Sequence, residues 1–410
     1  MKTIINLFSL AIFSMAALLS SCSSKDTSEK KETSPKSSIT KQFIKNNIDF
    51  SVKQYQHLST LVPEDKLPRT YNKEENKLIT SGTSWWTSGF YPGTLLYLFE
   101  MSGDSSMLKL AEQKLEILEK EKENKGTHDL GFMLYCSFGN AYRITGNEHY
   151  QDIMLEGAES LATRFHPETG LIKSWDHGKW QYPVIIDNMM NLEFLFWAAN
   201  ASGNEDFKNI NLSHADSTMK HHYRKDYSSF HVVDYSIENG QPVGKQTAQG
   251  KADDSAWSRG QAWGLYGYTV MFRETKDPKY LNQAEHIADY TLNHPNMPED
   301  LIPYWDYDAP ASDSTLRDVS AAAVNASALL ELSKYTQDSK KSNSYKNAAE
   351  KMLISMSSAP YIAEEGQNGG FILKHSVGSI PHNSEIDVPL TYADYYYIEA
   401  LKRYQDWFLN

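Results

Sequence analysis

Asp187 lies where an aromatic segment of the chain meets an apolar one. Trp175, His177 and Trp180 precede it, and the apolar run 189–199 that follows is long enough for about three helical turns. An Asp at such a junction accepts hydrogen bonds from the first turn of a helix, so a helix N-cap is its ordinary explanation. Its aromatic and His neighbours favour a second explanation, a carboxyl group that exchanges protons with a ligand.

Motifs for other chemistries are absent from the sequence. There is no HExxH, no paired CxxC, no GxSxG and no glycine-rich phosphate loop. His221 and His222 are adjacent and therefore point to different faces of a helix, which disfavours a metal site there. We expect no metal and no cofactor, and proton transfer by carboxyl groups is the chemistry that remains.

A repeated pair of helices is the element that must position these residues. Each copy has an apolar helix, a short turn that often contains Gly followed by Asp or Asn, and a second, more polar helix. Gly can end the first helix with a positive φ, and Asp, Asn or Pro can start the second. The five predicted pairs are 88–101 with 107–118, 130–144 with 150–164, 189–201 with 207–222, 258–274 with 280–292, and 319–335 with 345–356.

Helices at 39–61 and 389–408 complete a sixth pair, which gives about twelve helices by periodicity. We predict an all-α, single-domain (α/α)6 barrel over 39–410, because closing the ring buries apolar faces that an open stack would expose. The apolar helices would form the inner ring and run in the same direction. An open helical solenoid is the alternative.

Parallel inner helices would bring their N-terminal junctions to one end of the barrel. Flat Trp faces beside acids and amides suit the stacking and hydroxyl recognition of sugar rings. Taken singly, these residues also have ordinary explanations, since Trp packs between helices and Asp318 and Asp387 can cap them. The junction residues are Trp85, Trp86, His128, Asp129, Trp175, Asp187, Asp254, Trp257, Arg259, Trp263, Arg317, Asp318 and Asp387.

Residues 1–22 have the features of a lipoprotein export signal, with Lys2, an apolar run at 4–19 and small residues before Cys22. Acylated Cys22 would begin the mature chain, followed by a flexible tether at 23–38 that lacks large apolar residues. Secretion with Cys22 discarded is the alternative. We expect a protein of the bacterial cell envelope, on the periplasmic face of the outer membrane, that contacts the membrane only through this lipid anchor.

The formal net charge of −12 disfavours nucleic acid as a partner. A long polyanionic polysaccharide would also be repelled, whereas a few local cations can hold a small anionic oligosaccharide. Cys136 is the only cysteine besides Cys22, so the predicted domain has no internal disulfide and depends on packing for its stability.

Five motifs together resemble the unsaturated glucuronyl hydrolases, glycoside hydrolase family 88. They are WTSGF at 86–90, HDLGF at 128–132, DNMMN at 187–191, WSRGQAW at 257–263 and DYYYIEA at 394–400. The resemblance spans most of the predicted domain and implies the same (α/α)6 barrel. It also implies removal of the 4,5-unsaturated uronic acid that polysaccharide lyases leave at the non-reducing end of oligosaccharides, with glycosaminoglycan fragments as the expected class.

By this resemblance, Asp187 protonates C4 of the unsaturated sugar and then helps to activate water, with Asp129 as a second carboxylate. A helix N-terminus behind Asp187 would favour its ionised form. Partial burial and the neighbouring carboxylate would oppose this, so we expect the pair to share a proton near working pH.

The same resemblance implies a set of substrate-binding residues. Arg259 is expected to bind the uronate carboxylate with two hydrogen bonds, and a salt bridge to a cap such as Asp254 is its alternative role. Trp86 and Trp175 would wall the sugar, while His231 and Gln249 would bind hydroxyl groups or water. His231 also fits a structural role in a short strand at 228–236. The complete set is Trp86, His128, Trp175, His231, Gln249, Trp257, Arg259 and Trp263.

The loop 370–389 departs from the family pattern. In some members this region holds a Ser and Lys cluster associated with sulfated substrates, whereas here Ser376 and Ser379 are followed by Pro381 in place of the Lys. Three alternatives to the proposed activity stay open at this point. They are an unsaturated rhamnogalacturonyl hydrolase that acts on pectin fragments, a non-catalytic sugar-binding lipoprotein on the same barrel, and a polysaccharide lyase.

Overall fold

Twelve α-helices form a double ring in the computed structural model, which describes residues 39–410. The predicted signal, Cys22 and the tether lie outside the described residues. The outer helices are α1 (Lys41–Leu61), α3 (Ser105–Leu118), α5 (Glu148–Ala162), α7 (Glu205–His221), α9 (Pro278–Asn293) and α11 (Ser339–Met356). The inner helices are α2 (Phe90–Ser102), α4 (Asn140–Thr145), α6 (Leu192–Ser202), α8 (Ser258–Thr275), α10 (Val319–Tyr335) and α12 (Thr391–Tyr404).

The inner ring is closed, because α12 packs against both α10 and α2. The sequence of α10 is mostly apolar or small, because every residue from Val319 to Ser333 is buried between ring neighbours and the outer layer. The predicted (α/α)6 barrel is therefore confirmed and the open solenoid is excluded. No helix within 39–410 has both the length and the apolar character needed to cross a bilayer.

The turns within the helix pairs follow the predicted chemistry. Gly103, Gly146 and Gly203 each adopt the left-handed conformation after an inner helix, with φ of 76°, 68° and 72°. The next residue in each case, Asp104, Asn147 or Asn204, caps the outer helix with its side chain. The fourth turn replaces Gly with Lys276 at φ 58°, followed by the cap Asp277 and Pro278.

Two inner helices start in unusual geometry. The predicted helix at 130–144 begins as a π-helix at Gly131–Gly139 and becomes α-helical only in α4. The predicted helix at 189–201 starts earlier, as a 3-10 helix at Ile186–Asn191. Gly131 lies where the two segments meet, and its N–H donates to Asn191 Oδ1 at 2.9 Å. A Cβ on Gly131 would lie 2.7 Å from that oxygen, so only Gly allows this approach.

Short antiparallel strands fill the connections between the pairs. The strands β1 (Leu67–Asn72) and β2 (Lys77–Ser81) form one hairpin, and β3 (Phe165–His166) and β4 (Leu171–Ile172) pair briefly. A three-stranded sheet contains β5 (Pro183–Ile185), β6 (Val232–Tyr235) and β7 (Pro242–Gln246). The last hairpin has β8 (Ser376–Ser379) and β9 (Ser384–Val388). Of these, the sequence indicated only the strand after His231.

Two residues predicted as possible helix caps have different outcomes. Asp318 does cap α10, since its Oδ1 accepts from Ser320 N at 3.1 Å. Asp387 does not cap a helix, because it lies within β9 with φ 55° and pairs with His375 at 2.7 Å. The sequence alone does not distinguish an Asp that caps a helix from an Asp near the end of a strand, because either can stand before an apolar segment.

Candidate active site

A pocket opens where the N-terminal ends of the inner helices meet. Trp86 precedes α2, Asp129 precedes the π-helix, and Arg259 lies in the first turn of α8. Seven of the ten predicted site residues line it, and His231, Trp257 and Trp263 are the exceptions. The side chains around the pocket are Trp86, His128, Asp129, Trp175, Ile185, Asp187, Gln249 and Arg259.

Asp187 is a buried acid rather than a helix cap. The 3-10 helix that contains it is preceded by Ile185 at the cap position, without a side-chain cap. Burial raises the pKa of Asp187 to about 7; the Arg259 charge opposes this rise, and the Asp129 carboxylate adds to it. The helix terminus therefore does not keep this carboxyl group ionised, and near neutral pH it exists in both protonation states.

His231 has a fixed tautomer, with its proton on the ring nitrogen nearer Asp187. Its Nδ1 accepts backbone N–H bonds from Ala248 and Gln249, both at 3.1 Å, so in the neutral ring the proton lies on Nε2. That Nε2 is 3.8 Å from Asp187 Oδ2. Burial, with the Arg259 charge second, lowers the pKa of His231 to about 3, so the ring is neutral at working pH. His231 thus lies directly before β6, as the strand interpretation required, and also faces the acid.

His128 has the opposite tautomer. Its Nδ1 contacts the carbonyl oxygen of Ser174 at 2.8 Å, and since a carbonyl only accepts, Nδ1 carries the proton. Its Nε2 lies 3.2 Å from Asp129 Oδ1. Burial lowers the pKa of His128, although Asp129 partly offsets this. A neutral His128 therefore presents the lone pair of Nε2 toward Asp129.

Both Nη atoms of Arg259 are hydrogen-bonded to protein groups. Its Nη1 pairs with Asp318 at 2.9 Å and also donates to the carbonyl of Val377, while Nη2 donates to the carbonyl of Gly378 at 2.7 Å. Arg259 therefore does form a salt bridge with a helix-capping Asp, but the partner is Asp318 and not Asp254. Nε of Arg259 is buried and has no hydrogen-bond partner among residues 39–410.

Trp257 and Trp263 are buried and pack against residues that line the pocket or its floor. Trp257 lies between the His231 ring, 4.6 Å away, and the Arg259 guanidinium, 4.5 Å away. Trp263 has no exposed surface, and its contact with substrate stays a prediction. The sequence placed it on the inner helix correctly, but one turn of α8 carries it below the rim and into the core.

An aromatic layer forms the floor beneath the pocket. Phe132 contacts Trp86 and Trp263 with ring centroids 5.5 and 5.1 Å apart, and Trp263 contacts Tyr396 at 5.4 Å. Such tilted and edge-to-face contacts are the favoured geometry between aromatic rings. The aromatic layer consists of Trp86, Phe90, Phe132, Trp263, Tyr392 and Tyr396.

The half-buried Trp175 belongs to an aromatic segment at the rim of the pocket. Its ring lies 5.1 Å from Trp180 and 6.3 Å from His231, edge to face with the latter. Asp176 anchors the segment through ion pairs with Arg164 at 2.9 Å and Lys173 at 3.1 Å. Trp175 thus lines the pocket, its contact with a sugar stays a prediction, and its neighbour Trp180 was not among the predicted site residues.

Residues outside the predicted set hold the loop that carries Gln249. The buried Asp306 accepts from Lys251 N at 2.8 Å and from Ser255 Oγ at 2.7 Å. Gln249 itself donates to the Gly378 carbonyl at 3.1 Å, which joins this loop to the β8–β9 hairpin. Sequence reasoning missed Asp306 because it lies in an irregular connection without a periodic pattern. Within 39–410, no three His, Cys, Asp or Glu side chains are grouped as a metal site requires.

The family model of glycosyl hydrolase family 88 matches residues 63–409. This range contains every residue of the pocket. The chain belongs to glycosyl hydrolase family 88. It is therefore a glycoside hydrolase, and the family acts on oligosaccharides that carry an unsaturated uronic acid. The alternatives of a pectin-fragment hydrolase, a lyase and a non-catalytic binder are set aside by this assignment.

Relatives in the family agree with the assignment. The chain is 45% identical over 328 residues to an unsaturated glucuronyl hydrolase of Formosa agariphila, covering 79% of this chain and 81% of the relative. A crystal structure of an unsaturated glucuronyl hydrolase specific for heparin is 47% identical, has a TM-score of 0.86, and is matched over 89% of this chain and 97% of its own. A Streptococcus agalactiae mutant complexed with dGlcA-GalNAc6S is 29% identical, with a TM-score of 0.77 and coverage of 90% and 93%.

Proposed function

We propose that Asp187 and Asp129 hydrate the C4=C5 double bond of a terminal unsaturated uronic acid. The observation that supports this most directly is the pKa of Asp187, which burial raises to about 7 within a pocket that also contains Asp129. An acid with such a pKa can give a proton at neutral pH and, once ionised, can accept one. An ordinary exposed Asp would be ionised and could not act as the donor.

The double bond is an enol ether, because C5 carries the ring oxygen. Protonation of C4 places positive charge on C5 and the ring oxygen, and water then adds to C5 while losing one proton. The resulting hemiketal opens and releases the neighbouring sugar, so overall one water is consumed and no proton is lost. The anomeric carbon undergoes no displacement, so the separation of the two carboxyl groups does not report retention or inversion as it does in other glycosidases.

We assign a separate role to each acid on the basis of its contacts. Asp187, with the Nε2–H of His231 directed at it, would donate to C4 and then take a proton from the attacking water. Asp129, beside the His128 lone pair and with Thr127 Oγ1 donating to it at 3.0 Å, would orient the sugar. His128 and His231 thereby act through fixed tautomers, one accepting and one donating.

The uronate carboxylate is assigned to the free edge of Arg259. Arg259 lines the pocket, and its buried Nε lacks a partner within 39–410 whereas both Nη atoms bind protein groups, so we expect the uronate to approach along the Nε edge. Trp86 and Trp175 line the same pocket and supply the walls for the sugar ring.

The β8–β9 hairpin argues against strong selection for a sulfate at the position used by some family members. Ser376 is fully buried, and Pro381 brings no charge. Ser379 Oγ instead contacts His382 Nδ1 at 2.7 Å. We infer that unsaturated glycosaminoglycan disaccharides are substrates and that a sulfate on the second sugar is not required.

The conjugated double bond absorbs in the ultraviolet, which gives a direct assay. Added to matched sulfated and unsulfated unsaturated disaccharides, the protein should abolish the absorbance of both, with the unsulfated member hydrolysed at least as fast. An increase of absorbance on the parent polymer would indicate lyase activity and contradict the proposed function. A strong preference for the sulfated disaccharide would contradict only the inference about the hairpin.

We also propose that Cys22 is acylated and holds the enzyme at the periplasmic face of the outer membrane. This proposal rests on the signal-like composition of residues 1–22 and on the small residues before Cys22. In detergent-phase partitioning, the full-length protein should enter the detergent phase, and Cys22→Ser should move to the aqueous phase. Partitioning that is unchanged by Cys22→Ser would contradict the anchor, and fractionation of inner and outer membranes tests the location.

A further inference from the structure

A second cavity lies inside the barrel, on the other side of the aromatic layer. Its volume is about 350 Å³, within the range of small-molecule sites. It shares no lining residue with the catalytic pocket, although Phe132 and Tyr396 of the aromatic layer form part of its wall. The half-buried Tyr142 and Trp197 and the exposed Arg143 mark its outer end. We call it the lower cavity.

Aromatic rings from several inner helices surround the lower cavity. Trp197 of α6 contacts Tyr142 and Tyr135 with centroids 6.1 and 6.4 Å apart. On another part of the wall, Tyr97 of α2 and Tyr395 of α12 are 5.5 Å apart. Aromatic rings gathered around one space provide the electron-rich surface that attracts a cation.

The ion pairs next to this cavity contain more carboxylates than cations. Arg273 binds Glu193 at 2.6 Å, Glu274 at 2.8 Å and Glu331 at 3.2 Å. Arg403 shares Glu331, at 3.0 Å, and approaches Glu399 at 3.6 Å. Four carboxyl groups therefore share two guanidinium groups, so these ion pairs contain more acids than cations. Arg143 does not compensate the extra acids, because it is paired through both Nη atoms with Glu100 at 2.9 and 2.7 Å.

Glu193 belongs to this network, lines the cavity and has one carboxylate oxygen without a hydrogen bond. Its Oε1 accepts from Arg273, whereas Oε2 makes no hydrogen bond to any residue in 39–410. The other lining carboxylate, Glu399, is occupied by hydroxyl groups of Ser327 at 2.5 Å and Tyr266 at 3.2 Å. Burial raises the pKa of Glu193, as expected where an acid lacks full compensation of its charge.

We propose that the lower cavity binds a small organic ammonium cation, held by the aromatic rings around Trp197 and by Oε2 of Glu193. A cation would supply positive charge where the ion-pair network lacks it and would contact the rings through its alkyl groups. An uncharged apolar ligand would leave Glu193 without a partner. A bare metal ion would need three or more grouped ligands, which residues 39–410 do not provide here.

Isothermal titration calorimetry with choline tests this, and 3,3-dimethyl-1-butanol, which has the same shape without the charge, is the matched control. We expect saturable binding of choline that is about 10- to 30-fold tighter than that of the alcohol. Equal affinities, or no saturable binding of choline, would overturn the proposal. Titration in the presence of the unsaturated disaccharide should leave choline affinity measurable, because the two cavities share no lining residue.

Three variants locate the site. Glu193→Gln and Trp197→Ala should each weaken choline binding about 10-fold. Glu365→Gln, which changes an exposed carboxylate paired with Lys53, should leave it unchanged. Hydrolysis of the unsaturated disaccharide reports folding in all three, since none of these residues lines the catalytic pocket. If Glu193→Gln does not fold, the proposal is tested by choline binding to Trp197→Ala and by comparison with the uncharged alcohol. Unchanged choline binding by Trp197→Ala would place the ligand elsewhere and refute the proposal.

Discussion

Asp187→Asn should lower kcat by about 10³-fold, because Asn cannot give a proton to C4. The same substitution should stabilise the folded protein above neutral pH. The pKa of Asp187 is raised in the folded state, to about 7, so its stabilising contribution is fully present below the unfolded pKa and is lost as pH rises through about 7. A shift of about three pKa units corresponds to about 4 kcal/mol, and Asn removes this loss.

The two readouts separate a chemical effect from a folding defect. Urea unfolding at pH 4 and pH 8 should show that the stability of Asp187→Asn relative to the unsubstituted protein increases by about 3 to 4 kcal/mol between these values. The kcat/KM of the unsubstituted enzyme should decline above about pH 7, as the acid loses its proton. Near-normal turnover of Asp187→Asn, or a pH-independent difference in stability, would refute the assigned role of this carboxyl group.

Arg259→Met should destabilise the protein by about 3 to 5 kcal/mol, because it leaves the fully buried Asp318 carboxylate without its partner. It should also lower kcat/KM by about 10- to 100-fold, since the uronate loses a charged hydrogen-bond donor. Most of the second effect should appear as a higher KM. Urea unfolding and turnover of the unsaturated disaccharide measure the two effects independently.

A double variant distinguishes the structural contribution of Arg259 from its contribution to binding. Arg259→Met with Asp318→Asn removes the unpaired charge and should recover most of the lost stability, because replacing a whole buried ion pair is far less costly than breaking it. Its kcat/KM should stay low. Full recovery of kcat/KM in the double variant would mean that Arg259 only supports the β8–β9 hairpin and does not bind substrate.

The barrel was predictable because the residues that end one helix and start the next are adjacent in sequence. A Gly followed by Asp or Asn ends one helix and starts the next, and Gly103 with Asp104 does so without help from the rest of the chain. The π-helix at Gly131–Gly139 was not predictable, since its apolar pattern matches an α-helix. Its geometry depends on the close approach of Gly131 to Asn191, a contact between residues far apart in sequence.

The motifs predicted which residues line most of the pocket, but the sequence did not predict the tautomers of the His rings. The tautomers of His231 and His128 are set by backbone groups of Ala248, Gln249 and Ser174, which lie in irregular loops. The direction in which Arg259 can bind a ligand is set by carbonyl groups of the β8–β9 hairpin in the same way. Such contacts depend on how loops that are distant in sequence pack against one another, so they cannot be read from the spacing of residues along the chain.

Within residues 39–410, the aromatic layer also closes the inner end of the catalytic pocket. Phe132, Trp263 and Tyr396 close the barrel across its axis, so a sugar cannot pass through and leave at the far end. Only the terminal unit of a chain can then enter, and the interior of a long polymer cannot thread past the acids. The released uronic acid must leave by the path through which the next oligosaccharide arrives, so product and substrate compete for the same opening.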